Sequence, residues 1–166
     1  MNPIKVIPCL DMKNGRVVKG VNFVGLRDAG DPVENAQFYD AEGADELTML
    51  DIAATLEGRA NRIEWARQVA EVISIPLTVG GGISTLADMT ALFEVGVAKV
   101  SVNSAAVHRP ELIDEAAAAF GSDRLVVAID GRRNADMPSG FEVVVSGGNK
   151  GTGLDCAAWA RECSSM

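Results

Sequence analysis

The sequence predicts an α/β fold of parallel βα repeats, about five units long, and three observations carry the prediction. Short aliphatic and β-branched runs recur at Ile4 to Leu10, Glu46 to Asp51, Ile75 to Val79, Ala98 to Val102 and Arg124 to Ile129. Stretches with helical spacing separate them, and that alternation gives βαβ units with right-handed crossovers. The runs are apolar at successive positions, as parallel strands covered by helices on both faces must be.

The 166 residues, 48% of them hydrophobic, suit one domain spanning 1–166. A complete eightfold βα barrel takes about 250 residues, so the chain supplies roughly five-eighths of one. An open doubly wound sheet is the competing architecture. No apolar run approaches the roughly 20 residues of a membrane span. The Met1-Asn2-Pro3 start lacks a cationic region leading into a cleavable apolar segment, so cytoplasm is the expected location. Cys9, Cys156 and Cys163 are an odd set without CxxC spacing, which suggests reduced thiols rather than disulfides or zinc. A net charge of -8 argues against nonspecific nucleic-acid binding, while a local phosphate site stays open.

In chain order, Ile4 to Leu10 is expected as a buried strand closing on Asp11. From Met12 to Gly30, glycines punctuate β-prone pieces, which predicts a partly ordered lid carrying Lys19. Asp31 is the expected cap of a helix running to Glu42, with Pro32 at the first helical position and Glu34 answering the cap's amide. Gly43 ends it. A second strand closes on Asp51. Ile63, Ala66, Ala70 and Ile73 then mark a helix over Glu57 to Ile73. The third strand runs into Gly80-Gly81-Gly82, followed by a helix from Thr85 to Val95. The fourth ends at Asn103-Ser104, and the next helix stops at Gly121. The fifth strand closes on Asp130. A hairpin including Phe141 to Val145 and a last helix follow.

Strand C-termini form the reactive rim of a βα barrel, and Asp11, Asp51, Asn103 and Asp130 all fall at expected strand ends. A strand-end aspartate can equally cap the next turn. Asp11 and Asp130 form a matched pair, each closing an apolar strand ahead of glycine and basic residues, and two such carboxylates can divide general acid and base roles. Asp51 is read as rim or loop support. Gly80-Gly81-Gly82 after one strand and Asn103-Ser104 after the next can gather amides and a hydroxyl around a phosphate, although Gly-Gly-Gly also makes tight turns. Lys19 suits a substrate cation or a solvated loop. His108 is expected at a surface helix entrance, and Trp65 and Trp159 in packing. No triad, metal cluster or nucleotide P-loop is visible, and no cofactor is expected.

Cys9-Leu10-Asp11, Gly15-Arg16-Val17-Val18-Lys19-Gly20, Leu26-Arg27-Asp28, Gly30-Asp31-Pro32-Val33-Glu34, Thr78-Val79-Gly80-Gly81-Gly82-Ile83 and Ala128-Ile129-Asp130 stand in one colinear register over essentially the whole chain. Together they closely resemble the cyclase subunit of imidazole glycerol phosphate synthase, of histidine biosynthesis. The resemblance implies a TIM barrel lyase acting on a phosphorylated ribonucleotide and ammonia. Asp11 and Asp130 match its acid/base pair, Lys19 its loop lysine, and Asp51 a rim carboxylate. Gly82, Asn103 and Ser104 match one of its two phosphate sites. A glutaminase subunit would dock as heterodimer partner at the opposite face, where Lys5, Glu46 and Lys99 match a charged ring.

Two departures qualify the match. Val97-Ala98 stand where the family commonly has Ala-Asp, at part of the glutaminase contact. The family's last three βα units, with the second phosphate site, are not in the sequence, and the end inside a helix reads as a truncation or frameshift. Little cyclase turnover is therefore expected from the chain alone. Self-association is expected as well, because a partial barrel exposes strand edges and apolar surface. The alternatives are the sister phosphoribosylformimino isomerase of the same pathway and a non-catalytic phosphate- or partner-binding scaffold.

Overall fold

Residues 4–21, 24–53 and 58–166 are described in the computed structural model, and they fall into two units. One comprises Met1–Ile83 and Ala87–Val100, the other Ser84–Leu86 and Ser101–Met166.

In the first unit, strands β1 (Cys9–Lys13), β2 (Arg16–Val21), β3 (Val24–Gly30), β4 (Leu47–Asp51), β5 (Leu77–Gly80) and the start of β6 (Lys99–Val102) follow the order β3-β2-β1-β4-β5-β6. β1, β4 and β5 are parallel neighbours, with Asp11 opposite Leu50 and Leu50 opposite Gly80. All four residues of β5 are buried, as a central parallel strand requires. Helices α1 (Pro32–Ala41), α2 (Gly58–Ala70) and α3 (Leu86–Glu94) alternate with these strands. Leu10, Met12, Leu47, Met49 and Val79 fill the core with Ala36, Ala66, Val69 and Leu92.

The second unit holds a one-turn helix α4 (Ser104–His108), α5 (Glu111–Phe120) and a short strand β7 (Leu125–Val127). Beyond them β8 (Asp130–Arg133), β9 (Phe141–Val145) and β10 (Lys150–Asp155) form an antiparallel sheet of order β10-β9-β8, followed by α6 (Cys156–Ser165). Val143, Val144, Val145 and Trp159 are buried here, and Asp155 caps α6 by accepting from Ala158 N at 2.9 Å. Among the described residues, no helix is long and apolar enough to cross a membrane.

The alternation of parallel strands with helices is as expected, and the departures have local causes. Ile4 to Pro8 is not a buried strand: Ile4 is 93% and Val6 64% exposed. β2 reaches only Met12 and Lys13, and Pro8 has no amide to donate, so this stretch is held on one side alone. Asp11 consequently lies within β1 rather than after it. The lid expected over Met12 to Gly30 is an ordered antiparallel ribbon, because Asn14 (φ 51°) and Gly15 (φ 77°) make a two-residue turn that suits a hairpin. Asn22 and Phe23, expected on it, lie outside the described residues.

Asp31 caps α1 as expected, accepting from Val33 N at 2.8 Å and Glu34 N at 3.2 Å. No reciprocal bond from Glu34 is seen among the described residues; Asn35 instead donates to Asp31 O at 2.8 Å. Glu57, the expected start of the second helix, is outside the described residues. The fifth strand is shorter than expected and half-exposed, and Asp130 opens β8 instead of closing β7. α4 was not visible as a separate helix; five residues give little periodicity to read, and exposed His108 ends it.

Candidate active site

Asp11 and Lys19 line one cleft of about 400 Å³ in the first unit, together with Cys9, Asn35 and Tyr39. β1 presents Asp11, the antiparallel ribbon brings Lys19 alongside on β2, and α1 closes the cleft with Asn35 and Tyr39. Burial pushes the Asp11 carboxyl up from its ordinary range, so it takes a proton more readily than a free aspartate. The Cys9 thiol keeps an exposed surface, yet desolvation by the surrounding chain first and the Asp11 charge second push it up to about 11. It is a neutral wall of the cleft at physiological pH, and all three cysteines are free thiols.

The ribbon is pinned near its base. Arg16 donates through Nε and Nη2 to both oxygens of Asp28, at 3.0 and 3.1 Å, and Gly30 N donates to Asp28 at 2.7 Å. Arg16 and this amide hold the Asp28 carboxyl below the usual range. At the turn, Gly15 lies against the Trp65 indole of α2, so close that a Cβ on Gly15 would fall 2.9 Å from the ring. Trp65 is thus a packing residue, as expected.

Asp51 closes β4 with its side chain buried, and its Oδ1 accepts from Ala53 N at 3.1 Å. The glycine turn wraps this point: at Gly81 (φ +95°) a Cβ would lie 2.1 Å from Asp51 O. Gly82 (φ 66°) follows, also in the left-handed region. Arg62 of α2, 3% exposed, donates through Nη1 to Gly81 O. Arg62 is not among the residues expected at the site. The signal was present, since Arg62, Ala66 and Val69 form the helix's buried stripe and a charge there needs a built partner.

In the second unit, Asn103 Nδ2 donates to Asp130 Oδ2 at 3.0 Å, so two predicted site residues meet directly. Asn103 Oδ1 is buried without a partner among the described residues. Ser104 Oγ accepts from Ser146 N at 3.2 Å, tying α4 to the β9–β10 turn. Two residues after Asp130, Arg132 bonds to Glu142 at 3.1 Å. Glu142 also accepts from Gly153 N at 3.0 Å and Asn134 at 3.2 Å, and the Gly153 amide leads in holding its carboxyl below the ordinary range.

At the opposite end of the first unit's strands, Glu46 is buried between two lysines. Lys5 Nζ lies 2.5 Å from Oε1 and Lys99 Nζ 2.7 Å from Oε2. Lys5 leads in holding the Glu46 carboxyl below its usual range. Glu46 immediately precedes β4 and Asp51 ends it, so the trio and the candidate rim sit at opposite ends of one strand.

The chain is similar to subunit HisF of imidazole glycerol phosphate synthase from Corynebacterium urealyticum, 56% identical over 96% of this chain and 63% of that protein. The same-named subunit of Prochlorococcus marinus is 56% identical over 98% of this chain and 63% of its own length. That of Beutenbergia cavernae is 53% identical over 98% and 64%. The chain therefore spans a little under two thirds of the length of these relatives. The profile of one family, described as histidine biosynthesis protein, matches residues 5–166, and with the βα alternation and this degree of identity the chain belongs to that family.

Proposed function

We propose that the protein acts as the cyclase subunit of imidazole glycerol phosphate synthase. The reaction takes a phosphoribulosyl-formimino aminoimidazole carboxamide ribonucleotide and ammonia to imidazole glycerol phosphate and aminoimidazole carboxamide ribotide. The observation that carries the reading is 53–56% identity to three subunits of that name over nearly the whole chain.

Adding ammonia to a carbonyl requires a proton delivered to oxygen and another removed from nitrogen, so an acid and a base are both needed. Asp11 and Asp130 fill these roles, and the raised carboxyl of Asp11 favours it as the donor. Lys19, on the cleft wall beside Asp11, supplies a cation for the phosphorylated substrate. Gly82, Asn103 and Ser104 take one phosphate through an amide and polar side chains. Asp51 supports the rim through the turn it anchors. Ammonia reaches the site from a glutaminase partner docked at the Lys5, Glu46 and Lys99 end. Cytoplasm is the matching location for such a biosynthetic step.

Calorimetry with the ribonucleotide substrate tests the reading. Binding that inorganic phosphate competes away is the expected result. Conversion of the sister isomerase's substrate into this ribonucleotide, with no ammonia-dependent turnover of the ribonucleotide itself, would transfer the assignment to that enzyme, and phosphate binding with neither turnover would leave a non-catalytic scaffold. Residues 1–166 alone are expected to turn over much more slowly than a full-length relative supplied with ammonia.

A further inference from the structure

Glycine leaves the turn after β5 loose, and a residue on another element fixes it. We propose that Arg62 is a positioning residue that aims the Gly82 amide at a phosphate; this rests on the reading that Gly82 belongs to a phosphate site.

Gly81 and Gly82 both have positive φ, and the peptide plane between them carries no side chain that could resist rotation. Gly81 cannot gain one, because the Asp51 backbone occupies the space. The plane is held instead by Arg62, whose Nη1 donates to Gly81 O. In a planar trans peptide the carbonyl and the following N–H point in opposite directions, and the described residues contain no cis peptide bond. Turning the Gly81 carbonyl towards α2 therefore turns the Gly82 N–H away from α2. A flipped plane would present a carbonyl oxygen where an anion needs a donor.

The cost of the arrangement points the same way. A guanidinium that is 3% exposed has lost most of its hydration, so the Nη1 bond to Gly81 O is made in a dry setting where a charge-assisted bond counts for more. An apolar side chain would complete the buried stripe of Arg62, Ala66 and Val69 at less cost, but it could not hold the carbonyl. Trp65, one helical turn further along α2, packs on Gly15, so the helix that sets the glycine turn also supports the hairpin leading to Lys19.

Amide proton–nitrogen NMR of the 166-residue protein, titrated with inorganic phosphate, tests the proposal. In the wild type the Gly82 resonance should move on titration. Arg62→Met should weaken phosphate affinity about three- to tenfold, the scale of one charge-assisted hydrogen bond, while amides remote from the turn keep their positions. Arg62→Lys retains the charge and one donor at shorter reach. It should lose about threefold, and it carries the test if the methionine variant does not fold. Wild-type affinity in a folded variant would overturn the proposal while leaving the phosphate reading intact. A Gly82 resonance that ignores phosphate in the wild type would overturn both.

Discussion

Gly81 shows how little tolerance one position can have. An added Cβ would fall 2.1 Å from Asp51 O, a backbone atom with no rotamer to move to, at φ +95°. No rotamer relieves that clash. Gly81→Ala should therefore cost about 3 kcal/mol or more, read as a lower urea midpoint at unchanged slope. Gly96 has the same φ but meets only the Ala70 Cβ, at 3.5 Å, so Gly96→Ala should cost only the conformational penalty of about 1–2 kcal/mol. Equal losses in the two variants would show that close approach is not what selects glycine at Gly81. Cys9 gives a second test at this scale. With its thiol pushed up to about 11, its alkylation rate should still be climbing at pH 10, where an ordinary cysteine has levelled off. Removing the neighbouring charge with Asp11→Asn should move that profile to lower pH, because Asp11 is one of the two causes. A profile that stays put would mean burial alone sets it.

At the scale of elements, periodicity carried the parallel strands and their helices. β4 and β5 fall where apolar runs predict them, and α1 begins at its predicted aspartate cap. What local sequence could not hold is what depends on a neighbour. Ile4, Val6 and Ile7 are as aliphatic as any core strand, yet their exposure is decided by which chain segment lies beside them. Arg62 was legible as a charge in an apolar stripe, but its partner, a carbonyl 19 positions away, was not. The Asn103 to Asp130 bond likewise joins residues that sequence placed in different roles. The Lys5, Glu46 and Lys99 trio came from family likeness alone, and it joins the segment ahead of β1 to the entrances of β4 and β6 through one carboxylate. Glu46 titrates below its ordinary value of 4.5 in the folded protein, so its stabilisation is complete above that value and fades as pH falls through the lower folded one. Glu46→Gln should destabilise by about 1–3 kcal/mol at pH 7, with a difference from wild type that shrinks towards pH 3. A pH-independent difference would assign the effect to packing instead.

For the whole molecule, the exposed aliphatic segment ahead of β1 matters most. Ile4 at 93%, Val6 at 64% and Ile7 at 45% exposure stand close together beside a strand of the first unit. Fully burying such a side chain yields about 1.5–3 kcal/mol, and association must first overcome several kcal/mol of lost translational and rotational freedom. Three exposed residues cannot support a tight complex on that arithmetic, but they suffice for weak association that depends on concentration. Sedimentation velocity over a hundredfold concentration range should show the average mass rising. Replacing both Ile4 and Val6 by Ser should return the protein towards monomer without lowering its thermal stability, since neither side chain is in the core. A single monomeric species at every concentration would remove the self-association reading. Association unchanged in the double variant would move the contact away from this segment, towards the open edges of β8 and β10, which pair on one side only.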